Sequence, residues 1–403
     1  MTDESRPRIA VISPFLDKRH GTELCVAEQI ERLGDAFDFH VYSTRISDMD
    51  TRKFIWHKIP DIPGPHLVKY VWFFWANHVR RWFENFIGSS NPVLTYSPGI
   101  NCFDADVISV HIVFAEFRRL VRRNLTFRAN PVRSWVRLIH RRAFYKLIIW
   151  LENRIYKRRL PLIAVSGKVK AALSRHYQVK DAVVIPNGIS LSRFNQEARK
   201  GLRIAAREML GFSSSDFVLL LIGNDWRKKG LLCLLQALAL SKTEQLKLVV
   251  AGRDEVSHFQ ASVDRHGLDS RVHFLPERAD PEFYYAAADA YVGPSLEDAF
   301  AIPPLEAMGC GLPTIVSSRA GVSEIVTHGF DGLVLDDPED PSELASLIAR
   351  IYDGQAYGEQ LGRNAAKTAS QFTWERNAEQ LRRVFHQLLA RTQARSVAAP
   401  RTV

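Results

Sequence analysis

The sequence predicts an α/β protein built as two doubly wound parallel-sheet lobes, and three observations carry that expectation. Short, continuous apolar runs such as 8–13 (RIAVIS), which is β-branched, and 217–223 (FVLLLIG) read as strands, the first a buried parallel one. Each is followed by a loop and a helix before the next apolar run, the alternation that right-handed βαβ crossovers produce. The alternation restarts near mid-chain, and 403 residues suffice for two cores of ordinary size.

The elements follow in chain order. After the first strand, LDKRHGTELCVAEQIERLGD gives a loop and then a helix, with Leu24, Ala27, Ile30 and Leu33 on its apolar face and Gly34 at its end. Residues 37–43 form a second strand. The dinucleotide fingerprint G-x-G-x-x-G is missing from the intervening turn, where Gly21 stands alone, and this counts against a dehydrogenase. Residues 67–86 (LVKYVWFFWANHVRRWFENF) form a helix with Trp72, Trp75 and Val79 on one face and Phe83 one turn later. It is either a core helix or an interfacial one that sets tryptophans at headgroup level. Residues 93–96 and 106–110 are further strands. His111 ends the second of these, at the carboxyl edge where ligand-binding residues of open sheets collect.

Residues 115–160 hold two helices. The second is long and basic, and Trp135, Leu138, Phe144, Ile148 and Trp150 are interleaved with its cations. Residues 160–166 and 182–186 are strands flanking a helix, and Pro186-Asn187-Gly188-Ile189 is a turn. The domain boundary is placed after residue 190. In the second lobe, strand 217–223 leads through NDWRKKG to a helix over 231–240, and strands follow at 246–252 and 271–275. A strand ending at Gly293 opens the stretch 294–316 (PSLEDAFAIPPLEAMGCGLPTIV), with Glu297, Asp298 and Glu306 close together, a short helix around Glu306 and a strand from Pro313. Its prolines at the start and glycines past the end match the asymmetry of helix termini. A last helix runs from 373 to 392, and residues 393–403 are expected to be a disordered tail.

Composition narrows the function classes. At 46% hydrophobic and 24% charged residues the chain reads as soluble and globular. Cys25, Cys102, Cys233 and Cys310 lack C-x-x-C spacing, which points to a reducing compartment and away from structural zinc. The amino-terminal residues MTDESRPR carry no apolar signal core, and the apolar run at 67–76 is too short to span a bilayer. Charge is uneven: residues 1–190 hold 30 Lys and Arg against 17 Asp and Glu, while the remainder is slightly acidic. Fourteen of those cations fall in residues 115–160, against Glu116 and Glu152. An anionic partner follows: a membrane surface, a phosphorylated acceptor or nucleic acid, the last without a recognisable motif.

The ordered motifs Pro186-Asn187-Gly188-Ile189, Gly223-x5-Lys229-Gly230, and Asp298-x7-Glu306 with Ala307-Met308 and Gly311-Leu312-Pro313 resemble the signature of the family-four retaining glycosyltransferases. The resemblance is dense over 160–390 and patchy over 45–160. Two departures stand out. The first acid is Asp298 rather than Glu, and the family's Gly-Phe-Gly is Ala299-Phe300-Ala301. The resemblance implies the GT-B architecture, two Rossmann-like lobes facing a cleft with the last helix crossing back to the first. Residues 1–190 would bind the acceptor and 191–372 the nucleotide sugar.

It also implies roles. Asn224, Lys228 and Lys229, with amides near Gly21, would receive the donor diphosphate. Glu306 would grip the ribose, and Asp298 with the backbone at Phe300, Ala301 and Ile302 would hold the sugar hydroxyls. His111 would position donor or acceptor. The expected activity is metal-independent, retaining transfer of a hexose from a UDP- or GDP-linked donor to a saccharide or lipid-linked acceptor of the cell envelope. No cofactor beyond the donor and no nucleic acid is expected. The protein would be cytoplasmic and peripheral on the inner membrane face through 67–86 and 115–160. A sugar-nucleotide epimerase, a phosphorylase or a non-catalytic membrane-surface protein of the same fold are the alternatives.

Overall fold

The computed structural model describes residues 6–86, 94–123 and 135–398, without the side chains of 120–138 and 395–398. It separates into two units that meet between Pro186 and Asn187, with the helix opening at Trp374 belonging to the first.

The first unit holds β1 (Arg8–Ile12), β2 (Phe15–Leu16), α1 (Gly21–Leu33), β3 (Asp38–Ser43), β4 (Arg45–Ile46), β5 (Ile55–Lys58), α2 (His66–Phe86), β6 (Leu94–Pro98), β7 (Val107–Val110), α3 (Phe114–Arg123), α4 (Trp135–Tyr156), β8 (Leu162–Ala164), α5 (Gly167–Tyr177) and β9 (Val183–Val184). Seven of these strands form one parallel sheet, ordered β5-β3-β1-β6-β7-β8-β9. The order reverses between β1 and β6, the kind of switch point beside which ligands bind. β2 and β4 pair separately.

The second unit holds α6 (Gln196–Leu210), β10 (Phe217–Ile222), α7 (Leu231–Leu240), β11 (Leu246–Gly252), α8 (Ser257–His266), β12 (Val272–Pro276), α9 (Glu282–Ala287), β13 (Ala290–Gly293), α10 (Ile302–Gly309), β14 (Thr314–Ser317), β15 (Leu333–Leu335), α11 (Pro341–Tyr352) and α12 (Gln355–Ala369). Its six-stranded sheet is ordered β12-β11-β10-β13-β14-β15, all parallel, and reverses between β10 and β13.

Each unit has its own core. In the first, Ile9 and Val11 of β1 meet Val26 and Ile30 of α1. The last helix, α13 (Trp374–Ala398), adds Ala378, Leu381, Phe385 and Leu389 to it. In the second, Leu219 and Leu221 of β10 pack with Leu234, Leu238, Leu248 and Val250.

Several expectations are corrected. Residues 393–398 are helical rather than a disordered tail: RTQARSVA holds no Gly or Pro, and the first breaker is Pro400. Residues 399–403 lie outside the described residues, as do Val93 of the expected 93–96 strand and the side chains of Trp135 and Leu138. The core-helix reading of 67–86 fails for one face. α2 buries Phe73, Phe74, Asn77, Arg81 and Glu84, yet leaves Trp75, Val79, Trp82, Phe83 and Phe86 exposed. No helix among the described residues is long and apolar enough to cross a membrane.

Candidate active site

In the second unit the switch point brings two loops together. One leaves the carboxyl end of β10 at Gly223, and the other leaves β13 at Pro294. The first is tightly built. Gly230 has a left-handed backbone (φ +81°), and a Cβ there would run into the Pro294 carbonyl, so only glycine lets the loops touch. The Leu296 N–H donates to the Lys228 carbonyl (2.8 Å), and Asp254 accepts from the Trp226 N–H.

This contact sets two lysines against the acidic turn. Lys229 Nζ donates to Asp298 Oδ2 at 2.6 Å, and Lys228 Nζ lies 2.8 Å from Glu297 Oε2. Burial opposes ionisation of Asp298, but Lys229 and Lys228 outweigh it and hold the carboxyl below its usual range. Burial also opposes the charge on Lys228, but Glu297 and Asp298 raise its pKa on balance. Asn224, also placed in the site by the sequence, is exposed and accepts the Arg253 N–H at 3.0 Å.

The acidic turn is itself clamped. Gly321 and Val322 donate N–H bonds to the carbonyls of Asp298 (3.0 Å) and Phe300 (2.7 Å), and the Phe300 N–H reaches Asp298 Oδ1 at 3.3 Å. Ala301 adopts φ +71°, a conformation that disfavours any residue with a Cβ. The helix starts at Ile302, four residues before the Glu306 at which the sequence suggested it, with Pro303 and Pro304 in its first turn. Neither proline has an N–H, so Ile302 supplies the first-turn donor. Glu306 sits one turn in and accepts from the Tyr285 hydroxyl at 2.7 Å. Burial pushes its pKa up to about 7. Burial first, and then the charges of Asp298 and Glu306, push up the pKa of Tyr291 in β13.

Gly21 and His111 belong to the first unit and share no hydrogen bond with each other among the described residues. Gly21 opens α1, downstream of the carboxyl end of β1. His111 follows β7; its Nε2 lies 3.2 Å from Ser109 Oγ, and burial lowers its pKa to about 4, so the ring is neutral at pH 7. Behind it the Tyr96 hydroxyl donates to Gln29 Oε1 (3.0 Å) and accepts from the Ser109 hydroxyl (2.8 Å), and Gln29 donates to Asn377 of α13 (2.8 Å).

Sequence reasoning missed Glu297 as a lysine partner, and Tyr285, Tyr291 and Ser109 as supports. Only Glu297 had a local signal, its place beside Asp298.

Two family profiles match the chain in succession. "Glycosyltransferase Family 4" covers residues 19–193 and "Glycosyl transferases group 1" covers residues 203–368, so each unit matches one. The chain belongs to the family-four glycosyltransferases. Among relatives of this family, D-inositol 3-phosphate glycosyltransferase of Corynebacterium jeikeium (strain K411) is 30% identical over 217 residues, 51% of either chain. Lipopolysaccharide glucosyltransferase WaaG of Escherichia coli (strain K12) is 29% identical over 195 residues, 47% of this chain and 52% of WaaG. The chain thus spans about half the length of the curated relatives it matches. The fold is similar over nearly its whole length to the WaaG crystal structure (TM-score 0.75, 19% identity, 93% of this chain and 98% of that one). It is also similar to Anabaena HepE in complex with UDP-glucose (TM-score 0.71, 21% identity, 94% and 99%). Both units therefore carry the GT-B type of fold.

Proposed function

We propose that this protein transfers a hexose, with retention, from a nucleotide sugar to a saccharide or lipid-linked acceptor of the cell envelope. The carrying observation is the pair of ion contacts Lys229–Asp298 and Lys228–Glu297 at the switch point of the second unit. In the proposal these lysines meet the donor diphosphate, a group that competes for them with the two carboxylates. Charge on the departing diphosphate would be met by the lysines rather than by a metal, each strong contact contributing about 3 kcal/mol. Glu306 would hold the ribose, and Asp298 with the Phe300–Ile302 backbone the sugar hydroxyls. In the first unit, His111 would position donor or acceptor, and the amides near Gly21 would meet phosphate. A neutral imidazole at His111 suits hydrogen bonding to an acceptor or sugar hydroxyl. HepE was crystallised with UDP-glucose, which makes that donor the first to try over GDP-linked ones.

Incubation with UDP-glucose labelled in the sugar, with and without lipid-linked acceptors, tests the reading. Label in an acceptor, lost about 100-fold in Glu306→Gln, is expected. An isomerised sugar with no transfer would replace it by the epimerase reading.

The proposal includes a cytoplasmic location on the inner membrane face. It is supported by the exposed row Trp75, Val79, Trp82, Phe83 and Phe86 on α2, and by the basic α3 and α4. An apolar, aromatic face flanked by cations is the composition of an interfacial helix. Flotation with anionic vesicles at low salt should carry the protein up, and Trp75→Ala with Phe86→Ala should reduce the floated fraction.

A further inference from the structure

The first unit holds a cavity of about 420 Å³ between α3, α4 and α5, apart from the residues proposed above to bind donor or acceptor. Arg118, Lys146, Asn153, His176 and Tyr177 line it, with Trp150 at its side. Two of its cations are uncommitted. Among the described residues neither Arg118 nor Lys146 makes an ion pair, although Arg118 is half-buried.

The surrounding carboxylates cannot serve them, because each is already engaged. Glu116 is bonded to Arg119, to Arg175 at 2.9 Å and to His176 at 2.5 Å. Burial opposes its ionisation, yet these partners hold it down at about 2. Glu152 is fully buried and accepts the N–H groups of Phe114 (2.7 Å) and Ala115 (3.1 Å) and the Tyr177 hydroxyl (2.5 Å). Those bonds fix the start of α3 to α4 and α5, so the cavity wall is preorganised. Among the described residues the charge around the cavity is therefore positive, with neither Glu116 nor Glu152 left to cancel it.

One wall differs in kind. Trp150 is 53% exposed, and Arg154 lies 5.9 Å from its ring centroid. Lys146, Trp150 and Asn153 share one face of α4, and two cations and an amide beside an aromatic ring suit an anion joined to a carbon skeleton. The volume lies within the range of small-molecule sites.

We propose that this cavity binds a phosphate ester, its phosphoryl oxygens between Arg118 and Lys146 with the Asn153 amide, and its sugar, polyol or glycerol portion against Trp150. The site lies wholly in the first unit and does not depend on the donor reading. The ester can be a free sugar phosphate or the headgroup of a phospholipid, and the two are separable by experiment.

The full chain is titrated calorimetrically with glucose 6-phosphate and glycerol 3-phosphate, with glucose and glycerol as blanks. In parallel it is sedimented with phosphatidylcholine vesicles with and without phosphatidic acid. Arg118→Gln and Lys146→Gln are compared with Arg141→Gln, an exposed α4 arginine outside the cavity lining. Thermal unfolding confirms that each variant is folded. The expected result is a loss of about tenfold in affinity for the soluble esters in each cavity variant and less than about twofold in Arg141→Gln. The same pattern on phosphatidic-acid vesicles alone also supports the site and assigns the ester to a headgroup. Binding of neither source below about 10 mM, or an equal loss in Arg141→Gln, overturns the proposal.

Discussion

Glu306 combines two demands that pull against each other. Its carboxyl is surrounded closely enough that burial lifts its pKa to about 7, while the proposed grip on a ribose needs the ionised form. A folded pKa above the ordinary carboxyl value means that the folded chain holds an extra proton. The stability this gives is complete below about pH 4.3 and is lost as pH rises through 7. Glu306→Gln should therefore melt higher than the parent at pH 8 and within error of it near pH 4.5, by scanning calorimetry. The donor KM of the parent should fall as pH increases across 7, because the carboxylate accepts what the acid cannot. Ala301 is the second strained position. Its left-handed backbone costs on the order of 1–2 kcal/mol for a residue with a Cβ, and glycine pays back part of that through the unfolded chain. Ala301→Gly should raise the urea midpoint, with a net gain of about 1 kcal/mol or less; a lowered midpoint would refute the strain. The motif comparison singled out this residue as alanine where relatives of the pattern have glycine, but that it sits at positive φ is visible only in three dimensions.

At the scale of elements, the β10–α7 loop and the β13–α10 turn act as one piece. Gly230 passes under the Pro294 carbonyl, and the lysines that follow from that approach meet their acids without further adjustment. Gly230→Ala should cost about 2–4 kcal/mol in denaturant unfolding and abolish any thermal shift by UDP-glucose, since both loops must separate to admit the methyl. These two loops were legible in the sequence because each carries its chemistry in a few consecutive residues beside a strongly apolar strand. α6 was not. It buries Arg207 and uses Arg199, Arg203 and Arg207 to donate to the carbonyls of residues 285–288 and to Asp289, so its inward face is polar and shows no apolar stripe. Tyr285 escaped for the same reason: in α9 its neighbours are all buried, and nothing in EFYYAA sets apart the hydroxyl that meets Glu306. The His111–Ser109–Tyr96–Gln29–Asn377 chain joins residues from four elements that no local pattern relates.

Across the whole molecule, the two units close their cores differently. The second is built from one continuous segment, Asn187–Thr373. The first is incomplete until α13 returns, because Phe385 packs edge-on against Phe37 and Tyr96, each with ring centroids 5.5 Å apart. Ending the chain after Thr373 should therefore leave 187–373 resistant to limited proteolysis while the first unit is digested. The loss of Leu381, Phe385 and Leu389 alone removes burial worth several kcal/mol, at about 2 kcal/mol for each large apolar side chain. Sequence reading caught the helix and its return but ended it early, since helix propensity falls off gradually while the contacts with β6 and α1 do not.

That interleaving carries a consequence for synthesis on the ribosome. Residues 8–186 must wait, their sheet partly uncovered, until residues 374–398 leave the exit tunnel, whereas 187–373 can settle as soon as they are free. The half that is born first is finished last, and nascent chains paused before residue 374 would be natural clients for holdase chaperones.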